Sequence, residues 1–413
     1  MNSMTTPRRT FLAGGVSLLG GMALSPAARA AGLLHASGSD RRLVLVQLSG
    51  GNDGLSTVVP FADDAYRRAR TTTRLERSDV LPLDDYRGLH GACKNLAAEW
   101  AEGRLAIVEG VGYPNMIRSH FRALEVWHTG DRRGRDSGDG WIGRLAEAGW
   151  TQEESSELVV HFGPQAPYSV YSTARPPIAL VSPTAYQWFG DQPQARVYGM
   201  AGENLEHDKR GAEPRHKGRD AALAHLRGVL DDARHSSLRI RRAAAEYRAR
   251  AEYPREPFAA SLHDVAALIR GGLGTRIFSV GLAGFDTHAT QRGAHDALMR
   301  TLDAGLGAFL KDLSHSEEGR NTTIAIFSEF GRRLEENASR GTDHGKAGPM
   351  LILGPAVRGG LLGKHPDLGA LDSGDPAWTT DFRSVYGTLI EGWFGIEHER
   401  VLGERYPLLP LFR

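Results

Sequence analysis

The segment Leu43-Val44-Leu45-Val46-Gln47-Leu48 is apolar at every position but one. A strand with one wet face alternates apolar and polar residues. A continuous run needs apolar cover on both faces, as in a parallel sheet with helices above and below. The same signature recurs at Leu105–Val108, Leu158–Val160, Ile178–Val181, Ile277–Val280, Thr323–Phe327 and Met350–Leu353. Helical patterns fall between these runs, at 93–101, 119–127, 219–253, 261–270, 294–313 and 381–393. The 219–253 stretch is expected to break once near Ser236-Ser237, and Ser261 and Thr380 or Asp381 read as N-caps. Strand and helix alternate, so the expected fold is α/β, with a mainly parallel central sheet flanked by helices.

The chain opens with a different kind of segment. Pro7-Arg8-Arg9-Thr10-Phe11-Leu12 is followed by a Gly/Ala/Leu stretch to about Leu24 and by Ala28-Arg29-Ala30. Charged start, apolar middle and small-residue cleavage site occur in order, as in a twin-arginine export signal. The alternative is a chance arginine pair before a surface helix. The apolar stretch is too short for a membrane-spanning helix. Residues 1–30 are therefore expected to be an export signal and 31–40 a flexible leader. Residues 41–413 are expected to form a single α/β domain, with a polar excursion at about 183–218. The expected destination is periplasmic or secreted, with the twin-arginine translocase as partner during export. The signal holds three of the 50 Lys and Arg and none of the 49 Asp and Glu, so its removal leaves a net charge of −2. That balance argues against nucleic acid as a partner and supplies no polybasic membrane anchor. Cys93 is the single cysteine, so no internal disulfide can form.

The chemistry-bearing residues follow the apolar runs. Ser49-Gly50-Gly51-Asn52-Asp53-Gly54 places Asp53 beyond the first strand, where open α/β sheets bind ligands. Asp53 reads as a metal ligand, as a turn cap, or as part of a nucleotide loop of the ATP-pyrophosphatase kind. Ser119 stands where a loop enters a helix, and the helix dipole and free amides there favour an alkoxide or a bound anion. An ordinary N-cap is the competing reading. Phe285-Asp286-Thr287-His288 ends another run, offering an acid and an imidazole two residues apart. His295, seven residues further on, reads as a surface residue. Glu329, in Ser328-Glu329-Phe330-Gly331-Arg332, can supply a carboxylate, and Arg332 a planar fork for an anionic oxygen. His344 sits beside Asp343, an acid able to fix its tautomer. Carboxylates mixed with imidazoles suit a divalent metal ion. No HExxH motif or GxSxG elbow occurs.

These segments, with Arg118-Ser119-His120-Phe121, Gly140-Trp141-Ile142-Gly143-Arg144 and Thr342-Asp343-His344-Gly345, resemble the alkaline-phosphatase-like superfamily, which also holds the sulfatases. They resemble most an exported bacterial family of unknown function assigned to that superfamily. The resemblance implies metal ions bracketing a nucleophile, which Ser119 matches best. Asp286, His288 and His344 would form one metal site, and Asp53, Glu329 and Ser119 the other. Arg332 would steady the anion. The metal is expected to be Zn, Mn, Mg or Ca. Glu329-Phe330 departs from the superfamily's Asp-His, and the Cys/Ser-x-Pro-x-Arg sequence of sulfatases is absent. The expected activity is metal-dependent hydrolysis of small anionic phosphate or sulfate esters. The rival is a non-catalytic exported binding or assembly protein on a degenerate hydrolase fold, and a Ser-His-Asp esterase is a third reading.

Overall fold

The structure, a computed structural model, describes residues 40–131, 138–151, 156–187 and 217–413. The export signal, residues 31–39 of the leader, and residues 188–216 of the polar excursion lie outside the described residues. Asp40–Arg413 form one compact unit.

Its strands are β1 (Arg42–Ser49), β2 (Val58–Val59), β3 (Val80–Pro82), β4 (Gly88–His90), β5 (Leu105–Gly112), β6 (Val159–Phe162), β7 (Ile178–Leu180), β8 (Ile277–Ala283), β9 (Thr322–Phe327), β10 (Arg332–Glu336), β11 (Thr342–His344), β12 (Gly348–Leu353), β13 (Gly360–Leu362) and β14 (Thr380–Asp381). The central sheet has 9 strands in the order β13-β5-β12-β9-β1-β8-β6-β7, with β14 also paired to β5. β1 sits at its centre, parallel to both β8 and β9. Its alternate residues explain the continuous apolar run. Leu43 and Leu45 enter the core on one face, while Val44, Val46 and Leu48 enter the core on the other. Burying each such side chain stabilises the fold by about 1.5–3 kcal/mol.

Only β12 runs against the rest of this sheet, antiparallel to both β9 and β5. The cause is the connection. After β9 the chain forms the β10–β11 hairpin and returns at once beside β9. A parallel neighbour requires a crossover of a dozen or more residues, normally helical, to bring the chain back to the starting end.

The helices cover both faces of the sheet. Phe258, Leu262, Val265 and Ile269 form the buried stripe of helix Pro257–Arg270. Met299, Leu302, Leu306, Phe309 and Leu313 do the same for Gln291–Leu313. Three sequence expectations need correction here. The first of these helices starts at Pro257, a ring pre-set for the first turn, and Ser261 lies inside it, donating to the Pro257 carbonyl at 3.0 Å. Helix Lys217–Glu246 runs unbroken through Ser236 and Ser237, whose hydroxyls find carbonyl acceptors at Ala233 and Tyr186. His295 is buried rather than superficial, with Nε2 3.1 Å from Asn52 Oδ1. Helix Phe382–Gly387 is capped by the Asp381 side chain and loosens into a π segment over Thr388–Trp393, with a last short helix at Glu399–Leu402. Among the described residues, no helix is long and apolar enough to cross a membrane.

Candidate metal centre

The loops after β1, β8 and β9 meet beyond the carboxyl ends of their strands. Gly50 and Gly51 make the turn after β1, with φ of 119° and 77°. A Cβ on Gly50 would lie 2.4 Å from the Asp286 backbone N, and one on Gly51 2.3 Å from the Phe330 ring. The double glycine thus lets three chain segments close on one point.

At that point stand His120, Asp286, His288 and His344. His120 begins helix His120–Thr129, His344 ends β11, and Asp286 and His288 follow β8. His344 Nε2 and His288 Nε2 each lie 3.0 Å from Asp286 Oδ1, and 3.0 Å from each other. His120 Nε2 lies 3.6 Å from Asp286 Oδ2. His120, Asp286 and His344 can offer ligand atoms to a single ion.

The opposite ring nitrogens fix the tautomers. His120 Nδ1 is 2.8 Å from Glu329 Oε1, His288 Nδ1 3.1 Å from Asp343 Oδ1, and His344 Nδ1 2.9 Å from the Arg118 carbonyl. A carboxylate or carbonyl only accepts, so each Nδ1 carries hydrogen and donates. In the neutral rings every Nε2 is then a bare lone pair. Arg332 Nη1 stands 3.5 Å from the His288 lone pair, and a further cation or a shared proton between His288 and His344, 3.0 Å apart, relieves the repulsion that remains. Imidazoles held from behind in this way are the usual setting of metal-ligating histidines.

Glu329 is 1% exposed and fully engaged. Its Oε1 accepts from the Gly50 amide at 2.8 Å as well as from His120, and its Oε2 accepts from the Ser328 hydroxyl at 3.0 Å. It therefore lies behind His120 and not beside Asp286. Phe330 forms an apolar floor, its ring centroid 4.9 Å from that of His120 and 4.7 Å from that of His344.

Arg332 is also buried, and the expectation of an anion-facing fork is corrected by its partners. It donates to the carbonyls of Gly50, Gly51, Phe285 and Thr342 and, at 2.7 Å, to Asp286 Oδ1. It knits the loops together and holds Asp286 in place. Partial burial pushes the Asp286 carboxyl up, but the hydrogen bond and charge of Arg332 outweigh this and hold it below the usual carboxylate range.

Asp53 does not join this group. It caps helix Gly54–Thr57 and is fully buried, with Arg70 bracketing both its oxygens. Ser56 donates to it at 2.6 Å, and Gln291 donates as well. Burial alone would raise its pKa, yet the Arg70 charge holds it well below the usual carboxylate range. The turn-cap reading describes its position. Gln291 links it to the site, since the Thr287 and Thr342 hydroxyls both donate to Gln291 Oε1.

Ser119 is exposed at the start of helix His120–Thr129, and its hydroxyl caps none of that helix's amides. It lies between Arg118, whose carbonyl holds His344, and His120. The side chain of Arg118 is anchored on Asp375 at 2.9 Å.

Sequence reasoning placed Asp286, His288 and His344 in one group and passed over His120. The signal was present, because His120 follows Ser119 directly. What could not be read was that Asp343, next to His344 in sequence, supports His288 instead.

Fold and site together define an α/β protein with a histidine–carboxylate cluster at the carboxyl ends of a mainly parallel sheet. The chain belongs to the family described as "Protein of unknown function (DUF1501)", which matches residues 103–402. No curated protein matches it in sequence. Among solved structures it is similar to Ps i-CgsB in complex with k-i-k-neocarrahexaose, at 12% identity and a TM-score of 0.40, over 88% of this chain and 74% of that one. It is also similar to the PsFucS1 sulfatase from Pseudoalteromonas sp., at 10% identity and a TM-score of 0.40, over 90% and 71%. A third is the lipoteichoic acid synthase LtaP from Listeria monocytogenes, at 10% identity and a TM-score of 0.36, over 88% and 76%.

Proposed function

We propose that the protein is an exported hydrolase-like enzyme for phosphate or sulfate esters. In this reading His120, Asp286, His288 and His344 hold one divalent ion. The observation that carries the metal assignment is the convergence of three Nε2 lone pairs on Asp286, each ring held from behind by an acceptor. A donor set this rich in imidazole favours zinc or another first-row transition ion over magnesium or calcium. When bound, the ion supplies Lewis acidity toward an ester oxygen and lowers the pKa of a neighbouring hydroxyl.

The chain's own residues take the remaining roles. Glu329, Asp343 and the Arg118 carbonyl fix the imidazole tautomers, and Arg332 fixes Asp286. Ser119 is the proposed nucleophile. Its oxygen bonds to phosphorus or sulfur, the ester bond breaks, and the alcohol leaves with the hydroxyl proton. Water then cleaves the serine ester, releasing the inorganic anion and restoring the hydroxyl. Its support is Ser119's uncapped position beside His120 and the sequence resemblance around Arg118-Ser119-His120-Phe121. Export rests on the twin-arginine start of the sequence.

The test is Ser119→Ala, assayed against phosphomonoesters, phosphodiesters and sulfate esters. The variant is expected to keep its metal and lose turnover, and unchanged turnover would remove the nucleophile assignment. The non-catalytic reading has one observation in its favour: among the described residues only one cluster can hold an ion, and Phe330 fills the space beside it. A protein that holds metal but turns over no ester in the screen would support that reading.

A further inference from the structure

A second feature lies at the other end of the sheet. The metal centre follows the carboxyl end of β8, whereas Gly271, Gly272 and Leu273 precede its start. There a cleft of about 570 Å³ opens between helix Lys217–Glu246, helix Pro257–Arg270 and the turn after Tyr247. Its wall carries Arg239, Arg242, Arg248, Arg250 and Arg270, with Glu246 and Asp312 as the acids of the lining.

Three of these arginines have carboxylate partners. Arg242 pairs with Glu246 at 2.8 Å, Arg270 with Glu318 at 2.8 Å and Arg239 with Glu157 at 3.3 Å. The other two have none among the described residues. Arg248 donates to the carbonyls of Ala245 and Tyr247, and Arg250 engages Asp312 through its backbone amide.

Both lie on an exposed turn that is firmly anchored. Asp312, 3% exposed, accepts from the Tyr247 hydroxyl, from the Tyr253 hydroxyl at 2.8 Å and from the Arg250 amide at 2.7 Å. A buried carboxylate is thus spent on fixing the segment that presents two unpaired guanidinium groups. Ordering arginines in advance reduces the entropy lost when a ligand binds. Planar guanidinium forks match the oxygens of phosphate and sulfate.

We propose that this cleft binds a compact anion bearing two or more phosphate or sulfate groups, separately from the metal centre. The volume suits a small ligand of that kind. Two guanidinium groups without a carboxylate partner among the described residues favour an anion carrying more than one charged group, and the proposal does not depend on the catalytic reading.

The test is calorimetric titration of the full chain with inositol hexakisphosphate and, separately, with sucrose octasulfate, at near-physiological salt. Saturable binding of one molecule per chain is expected for at least one probe. The double variant R248A/R250A should weaken it by at least roughly tenfold, the scale of losing charge-assisted bonds. His344→Ala, at the metal centre, and Arg77→Ala, in a distant exposed turn, should leave it intact. Both cleft arginines are exposed, so unchanged thermal melting would confirm that the double variant folds. The probe bound more tightly assigns phosphate or sulfate. Absence of saturable binding to either probe, binding indifferent to R248A/R250A, or binding lost in His344→Ala would each overturn the proposal.

Discussion

Replacing Glu329 by Gln tests whether the site is built from behind. Glu329 receives three donors: the Gly50 amide, the Ser328 hydroxyl and the His120 Nδ1–H. Gln keeps the shape and one carbonyl acceptor but replaces the other oxygen with an NH₂ group and removes the charge. The loop can still fold, with the carbonyl accepting from Gly50. The same carbonyl still accepts from His120 Nδ1, but the acceptor is no longer charged, which lowers the basicity of Nε2 as a ligand. Loss of such a supporting partner typically costs about 10–100-fold in metal affinity, or roughly 1.4–2.7 kcal/mol. The assay is competitive zinc titration against a chromophoric chelator, with circular dichroism as the check on folding. A folded Glu329→Gln protein that binds zinc as tightly as wild type would refute the argument. Glu329→Ala is expected to be harsher, because buried donors are left unpaired at about 1–3 kcal/mol each.

Arg70→Met should destabilise the fold by about 3–5 kcal/mol in denaturant titration, because it strands the buried Asp53 carboxylate. Gly50→Ala should lower both stability and metal affinity, since its Cβ would meet the Asp286 amide at a φ of 119°; wild-type values for both would show that the loops are not tightly closed. Burial lowers the pKa of both His161 and His295 from 6.5 to about 4. Below pH 6.5 the unfolded chain therefore takes up protons that the folded chain refuses. Stability of the metal-free protein should fall from pH 6.5 toward pH 4 by up to about 3 kcal/mol per histidine, then level off with respect to these groups. A denaturation series across that range that stays flat would contradict it.

The fold was legible because its strands are covered on both faces. Val44 and Leu45 point into different cores, and that requirement prints a continuous apolar run in the sequence. The direction of β12 was not legible, since the same run suits either direction and the deciding fact is a hairpin connection. The site was legible where a residue of the cluster follows its strand directly, as Asp286 and His288 follow β8. It was not legible where the role depends on partners distant in sequence. Asp53 meets Arg70, Arg332 meets four backbone carbonyls, and Asp343 meets His288 instead of its neighbour His344. A carboxylate or guanidinium at a strand end looks the same in sequence whether it faces an open site or a buried partner. His295 shows the same limit, since its buried partner Asn52 is distant in sequence.

The central claim is that His120, Asp286, His288 and His344 hold a divalent ion. Elemental analysis of the untagged protein, purified without added metal, tests it most directly. One equivalent of a first-row transition metal per chain is predicted, retained by Ser119→Ala and lost from both His120→Ala and Asp286→Asn. A folded wild-type protein that carries no metal and rebinds none when zinc or manganese is supplied would contradict the account.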